Sequence, residues 1–300
     1  MPTQMNPSAT FDFEDEKFQA PPSTVLPWCQ MLNPKSSLDG LKPFGLAIKL
    51  EQVNAAGFVP DENWQPIEYE FSTGDVENLL ITTTPRLSIV RQGPICIKER
   101  DTGEVLGRLM DMYDEFKANR LKYKPFTRYL IFLVGQDKKF LHKLPLRLTL
   151  SGSAGAGFGI AYRYRKDGQI TGFTAELEQA YADFRNQPNA PKGPLFHAHG
   201  IFCPLFEASQ KEVENNTVWV TDTTDYEHPT ASTLPDYMIP TNSEESKLIC
   251  ETFEEYKDFG QDVPTVETLK METPATPTSG FDASAYIYED EYEDYPEPPY

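Results

Sequence analysis

Tyr129-Leu130-Ile131-Phe132-Leu133-Val134 is an unbroken apolar run of six residues, and Leu144-Pro145-Leu146-Arg147-Leu148-Thr149-Leu150 follows it ten residues later. The first is too short for a membrane span and has the length and content of a strand buried on both faces. In the second, Leu144, Leu146, Leu148 and Leu150 fall on one face and Arg147 and Thr149 on the other, the two-residue period of a strand.

The surrounding sequence repeats this pattern. Leu46, Ile48 and Leu50 alternate, as do Ile67, Tyr69 and Phe71. Ile95 and Ile97 lead through Asp101-Thr102-Gly103, a turn signal, to Val105. Asp167-Gly168 after Ile160–Lys166 reads as a hairpin, and Leu195–Cys203 and Thr217–Val220 as further strands. Helical spacing is confined to Phe173, Leu177, Ala180, Tyr181 and Phe184, with Thr174 as cap, and to Leu248, Ile249, Phe253 and Tyr256, with Asn242 and Glu245 as a capping box and Gly260 beyond the end. A third helix is expected around Met110–Asn119. The predicted class is α+β, a mostly antiparallel sheet or barrel-like core with two or three helices. Residues 25–262 form the single globular domain, between an acidic arm at 1–24 and a Thr/Pro linker with an acidic, Tyr-rich tail at 263–300, both expected to be disordered.

Composition narrows the function. With 27 Lys+Arg against 46 Asp+Glu, the net charge of −19 argues at first against a nucleic-acid binder. The local distribution reverses this. Lys117–Lys166 holds twelve basic residues and only Asp137 as an acid, a local charge of +11, which leaves −30 for the other 250 residues. Aromatics are interleaved with these cations. Single-stranded nucleic acid calls for such a surface, cations along the phosphates and rings under the bases. The nominated contacts are Lys122, Lys124, Arg128, Arg163, Arg165 and Lys166 for phosphates, and Tyr123, Tyr162 and Tyr164 for stacking. On a strand through Tyr162–Lys166, the two tyrosines share one face and the two arginines the other.

Phe281–Tyr300 carries seven acids, no Lys or Arg, and five tyrosines, and Tyr292, Asp294, Tyr295 and Tyr300 mark its end. Such a segment can mimic a nucleic-acid strand and occupy its own domain's basic surface, or dock on a partner. It resembles the acidic, aromatic-ended tails of bacterial and phage single-stranded DNA-binding proteins, which implies recruitment of replication or recombination proteins. It departs from them in ending Tyr-Pro-Glu-Pro-Pro-Tyr where the bacterial proteins end Asp-Asp-Ile-Pro-Phe. Over about residues 25–260 the chain resembles an uncharacterised family of cyanobacterial proteins, on Pro27-Trp28-Cys29-Gln30-Met31-Leu32-Asn33-Pro34, Leu141–Thr149 and Phe202–Pro204. That resemblance implies a bacterial cytoplasmic setting and carries no activity.

Other chemistry is weakly signalled. Ser151–Gly159, with four glycines, lacks the Gly-Lys-Ser/Thr ending of a phosphate loop and leads into an expected strand instead of a helix. His197, His199 and Cys203 would share a strand face, but no further ligand completes a zinc set. Cys29, Cys96, Cys203 and Cys250 form no CxxC pair and read as buried thiols of a reducing compartment. Met1–Ala20 has neither a basic start nor an apolar run, so no secretory signal is expected. The reading is a non-enzymatic, cytoplasmic single-stranded nucleic-acid-binding protein, DNA favoured, with no cofactor, metal or membrane. The alternative is a structural or adaptor protein of a plasmid, phage or cellular assembly that docks an acidic protein on its basic face. A metal-dependent enzyme is a further alternative.

Overall fold

In a computed structural model of the chain, residues 26–261 are described apart from 38–39, 72, 167–168 and 214–215. Among the described residues there are fifteen strands and six α-helices: β1 (Trp28–Leu32), β2 (Ser36–Ser37), β3 (Gly40–Leu41), β4 (Gly45–Lys49), α1 (Leu50–Ala56), β5 (Gln65–Glu70), β6 (Val76–Thr82), β7 (Leu87–Gln92), β8 (Cys96–Glu99), β9 (Val105–Arg108), α2 (Tyr113–Ala118), β10 (Tyr123–Leu133), β11 (Leu146–Ser151), α3 (Gly152–Tyr162), β12 (Tyr164–Lys166), β13 (Gln169–Thr171), α4 (Phe173–Phe184), α5 (Pro194–Ala198), β14 (Pro204–Val213), β15 (Asn216–Tyr226) and α6 (Glu244–Glu255). The class is α+β. Nine strands make one sheet in the order β5-β6-β4-β1-β11-β10-β8-β9, with β7 also paired to β10, and the sheet does not close into a barrel. Every pairing in it is antiparallel except that of β1 with β11.

Five residues of the apolar run, Tyr129 to Leu133, lie within β10, Val134 follows its end, and all six are buried. Tyr129 and Ile131 pair in register with Leu148 and Leu146. Together with Leu150 they form the floor of the main core, which α3 and α4 cover through Phe158, Tyr162, Phe173 and Leu177. Leu144 departs from the expected face: it lies before β11, past Pro145, and is exposed. A proline has no N–H for a ladder, so the strand starts after it.

The glycine-rich segment is the largest correction. Ser151–Gly159 does not precede a strand. It opens α3, which runs to Tyr162, and Tyr164–Lys166 alone is left as strand, paired with Gln169–Thr171 across the expected hairpin position. Four glycines in eleven residues cost a helix about 4 kcal/mol relative to alanine, so packing must hold it. Ala154, Phe158, Ala161 and Tyr162 are all buried, at spacings of four, three and one, whereas Ile160 is exposed. Gly152 makes the strand-to-helix corner with φ +62°, a left-handed conformation that a side chain disfavours. At Gly157 the β14–β15 hairpin lies so close that a Cβ would stand 2.7 Å from Asp222 Oδ1. Thr221 fixes the hairpin to the end of β1: its N–H donates to Asn33 Oδ1 at 3.0 Å and its hydroxyl to the Leu32 carbonyl at 2.6 Å.

Three smaller expectations change as well. Leu195–Cys203 is not a strand: Pro194 starts the short helix α5, and Gly200 and Phe202 make only isolated bridges. Helix α4 begins after Gly172, leaving Thr174 buried inside its first turn instead of capping it. Ser243, and not Asn242, caps α6, accepting from the Ser246 N–H at 3.1 Å. Cys29, Cys96 and Cys203 are buried thiols, but Cys250 is exposed on α6.

Candidate nucleic-acid interface

Side chains alternate across a strand, so Lys124, Phe126 and Arg128 of β10 point away from the core that Tyr129 and Ile131 build. The strand register brings further cations onto that outer face. Lys98 of β8 is the direct partner of Lys124. Arg128 stands opposite Thr149 of β11, and Arg147, two residues before Thr149, pairs with Trp28 of β1. These four strands are consecutive in the sheet. Where they meet, a cavity of about 340 Å³ is lined by Lys98, Lys124, Arg128 and Arg147, with Trp28, Phe126, Thr149 and Ser151 among its other walls. Among the described residues, no Asp or Glu side chain lines it.

The walls differ in character. Phe126 and Lys124 are buried, Arg128 and Arg147 half-buried, and Trp28 partly open. The Arg128 guanidinium lies over the Phe126 ring at 5.3 Å from its centroid, which orients the cation on an apolar floor. Burial lowers the Lys98 ammonium below the ordinary lysine range, and the charges of Lys124, Arg100 and Arg128 lower it further. Ser151 is the N-cap position of α3, and its side chain makes no capping hydrogen bond. The corner at Gly152 therefore delivers the positive end of a helix to the same cavity that collects four cations.

The nominated residues are divided by the fold. Lys124 and Arg128 reach the cavity. Lys122, two residues before Lys124, is exposed with its Nζ 3.2 Å from Glu99 Oε1. Tyr123 faces the other side, buried, and donates its hydroxyl to Glu115 Oε1 at 2.6 Å. Tyr162 is a core residue of α3, stacked on Phe173 and against Phe202, so it offers no ring to a base. The expected strand face pairing it with Tyr164 does not exist, because the helix ends between them. Arg163 donates to Thr174 Oγ1 at 3.4 Å, and Tyr164 and Arg165 lie on the short β12. These residues sit at the far end of an eleven-residue helix, about 16 Å from Ser151. Lys166 is on the same strand. Lys138, Lys139 and Lys143 follow the opposite end of β10, about 30 Å along the strand from Lys124. The tail residues Tyr292, Asp294, Tyr295 and Tyr300 lie outside the described residues.

Sequence reasoning missed Lys98 and Trp28. Lys98 follows Ile97 and is therefore outward-facing by alternation, a signal present but isolated from the basic window. Trp28 comes to Arg147 only through the parallel pairing of β1 with β11, a contact 119 residues apart in the chain.

The histidines have structural partners. His197, on α5, holds Glu178 Oε1 at 2.6 Å from Nε2. His199 donates from Nδ1 to the Leu195 carbonyl at 2.8 Å, which leaves Nε2 to accept from the Ser246 hydroxyl at 2.9 Å. Cys203 Sγ faces the Ile201 carbonyl. Among the described residues no cluster of His, Cys, Asp and Glu has the arrangement of a metal site, and no helix is long and apolar enough to cross a membrane.

A family model described as Domain of unknown function (DUF5895) matches residues 23–272. The chain belongs to this family. The DUF5895 match runs from before β1 to beyond α6, so the whole cavity lies inside it. No curated protein and no solved structure matches the chain.

Proposed function

We propose that this DUF5895 protein is a non-enzymatic, sequence-tolerant single-stranded nucleic-acid-binding protein that favours DNA. The observation that carries the reading is the convergence of Lys98, Lys124, Arg128 and Arg147 on one cavity, where no carboxylate of the described residues joins the lining. Phosphates attract such a set of cations in any sequence context, which gives affinity without base readout. Trp28 is the partly open ring beside them and supplies a stacking surface worth about 1–3 kcal/mol per base. In this reading the acidic segment 281–300 competes for the same cations and is displaced by a strand, and it recruits replication or recombination proteins when free.

Fluorescence anisotropy with labelled oligo(dT) at low salt tests the proposal on the full chain and on a chain lacking 281–300. The expected result is binding by both, tighter for the shorter chain, and weaker for oligo(U). Absence of binding by both would defeat it.

A further inference from the structure

We infer that Lys98 is a nucleophilic amine that captures an aldehyde as a reversible imine, the aldehyde being the ring-opened sugar of an abasic nucleotide in a bound single strand. The inference rests on the strand-binding reading above and adds to it a covalent step that phosphate contacts do not need.

Position is the first ground. Lys98 stands on β8 in register with Lys124 of β10 on one side and with Val105 of β9 on the other, and all three residues line the cavity. Lys98 and Val105 are half-buried and Gly103 of the same lining is exposed, so this part of the cavity is reached from solvent. Among the described residues, Lys42, Lys49, Lys122, Lys211 and Lys247 are each paired with a carboxylate, whereas no ion pair or hydrogen bond engages the Lys98 amine.

Chemistry is the second ground. An imine forms only from the neutral amine, so an ordinary surface lysine, protonated at neutral pH, reacts slowly. Burial lowers the Lys98 ammonium, and the charges of Lys124, Arg100 and Arg128 lower it further. Burial is the largest of these causes and acts however the neighbouring cations are themselves paired. Lys122 and Lys247 are shifted the other way, raised chiefly by their hydrogen bonds to Glu99 and Glu244.

The electrophile follows from the strand. In an intact nucleotide the sugar carbon C1′ is locked in the glycosidic bond and offers no carbonyl. Loss of the base leaves a hemiacetal that opens to an aldehyde at C1′. The Lys98 nitrogen adds to this carbon, and the carbinolamine then loses its hydroxyl together with the remaining N–H proton. One C=N bond forms, one water leaves, and no oxidant or reductant takes part. Hydration reverses the step, so it is capture and not turnover. The cavity of about 340 Å³ is at the small end for ligand pockets and has room for a sugar without its base.

The test incubates the full chain with labelled oligo(dT) carrying one abasic site and with cyanoborohydride, which reduces an imine to a stable secondary amine. Anisotropy measures binding of the same strand in parallel. The expected result is a covalent complex with the abasic strand, none with intact oligo(dT), and an adduct that peptide mapping places on Lys98. Lys98→Arg keeps a cation that cannot form the imine, so it should bind the abasic strand within about threefold of the parent and lose about tenfold or more of the trapped complex. Lys247→Arg should trap as the parent does. Thermal midpoints matching the parent verify that both variants fold. Free 2-deoxyribose 5-phosphate separates the two sources of such an aldehyde. Labelling of Lys98 by the sugar more slowly than by the strand supports the abasic strand, and labelling by the sugar alone overturns it. A strand bound but not trapped, an adduct on another amine, or trapping unchanged in Lys98→Arg would overturn the imine while leaving strand binding intact. Failure to bind any strand would defeat the strand-binding reading and this inference with it.

Discussion

Phe158→Ala and Ile160→Ala, made separately, decide whether Phe158–Tyr162 is the last part of α3 or an extended segment entering the strand expected from Ile160. In a strand, residues 158, 160 and 162 share a face and the two truncations should cost similar amounts. In α3 they diverge. Phe158 is fully buried, with ring centroids 5.1 Å from Tyr129, 5.3 Å from Phe202 and 6.5 Å from Phe206. Those neighbours belong to the sheet, the α5–β14 connection and the hairpin, three separate pieces that cannot all collapse into the space left. The expected loss is therefore about 3–5 kcal/mol. Ile160 is 40% exposed on the opposite side of the same helix, so its loss should stay within about 1 kcal/mol. For a domain near 240 residues, the first corresponds to a fall of roughly 6–20 °C in Tm and the second to a few degrees at most. Thermal unfolding followed by circular dichroism measures both. Equal losses, or a larger one for Ile160→Ala, would refute the helical assignment and with it the placement of Ser151 at the cavity.

Further predictions concern the frame around the site. At Gly172, φ is +88° and a Cβ would lie 2.7 and 2.8 Å from the carbonyl oxygens of Ile160 and Ala161, so Gly172→Ala should lower Tm sharply, whereas Gly193→Ala, with open space around it, should leave Tm within about 2 °C. His228 is held between Glu176 Oε2 at 2.7 Å and Asp225 Oδ1 at 3.1 Å, and the Glu176 hydrogen bond chiefly raises its pKa. Its contribution is therefore complete below the unfolded value near 6.5 and is lost as pH rises through the folded one. His228→Gln should flatten the part of the stability profile that falls above pH 6.5. His142 behaves in the opposite sense: it accepts from the Leu133 N–H and donates to the Leu144 carbonyl, and burial pushes it down to about 4. Its contribution holds above pH 6.5 and fades as pH falls toward 4, and imidazole NMR shifts should show a neutral ring at pH 5.

The central sheet was legible because its signals are local. The run Tyr129–Val134 and the alternation from Leu146 to Leu150 state burial on their own, and α4 and α6 carry clear helical stripes. The segment Gly152–Tyr162 was not legible. Glycine weakens both helix and strand propensity, and the residues that hold α3 in place, Tyr129, Phe202 and Phe206, come from distant parts of the chain. The candidate site follows the same division. Of the basic window, Lys124, Arg128 and Arg147 line the cavity, since alternation puts them outside the core, and of these Arg147 was not among the expected contacts. The window could not separate them from Arg163 or Lys138, which sequence proximity groups with them and the lengths of α3 and β10 carry away. Lys98 and Trp28 enter only through strand pairing, which no local pattern encodes.

The salt dependence of oligo(dT) binding tests the cationic cavity most directly. Each neutralised phosphate of a single strand contributes about −0.7 to the slope of log K against log salt, so up to four contacts give about −2.8, a loss of about fiftyfold between 50 and 200 mM. The expected slope approaches that value for the full chain and is shallower by about 0.7 for Arg128→Gln and again for Arg147→Gln. A slope near zero, or one that neither substitution changes, would contradict it.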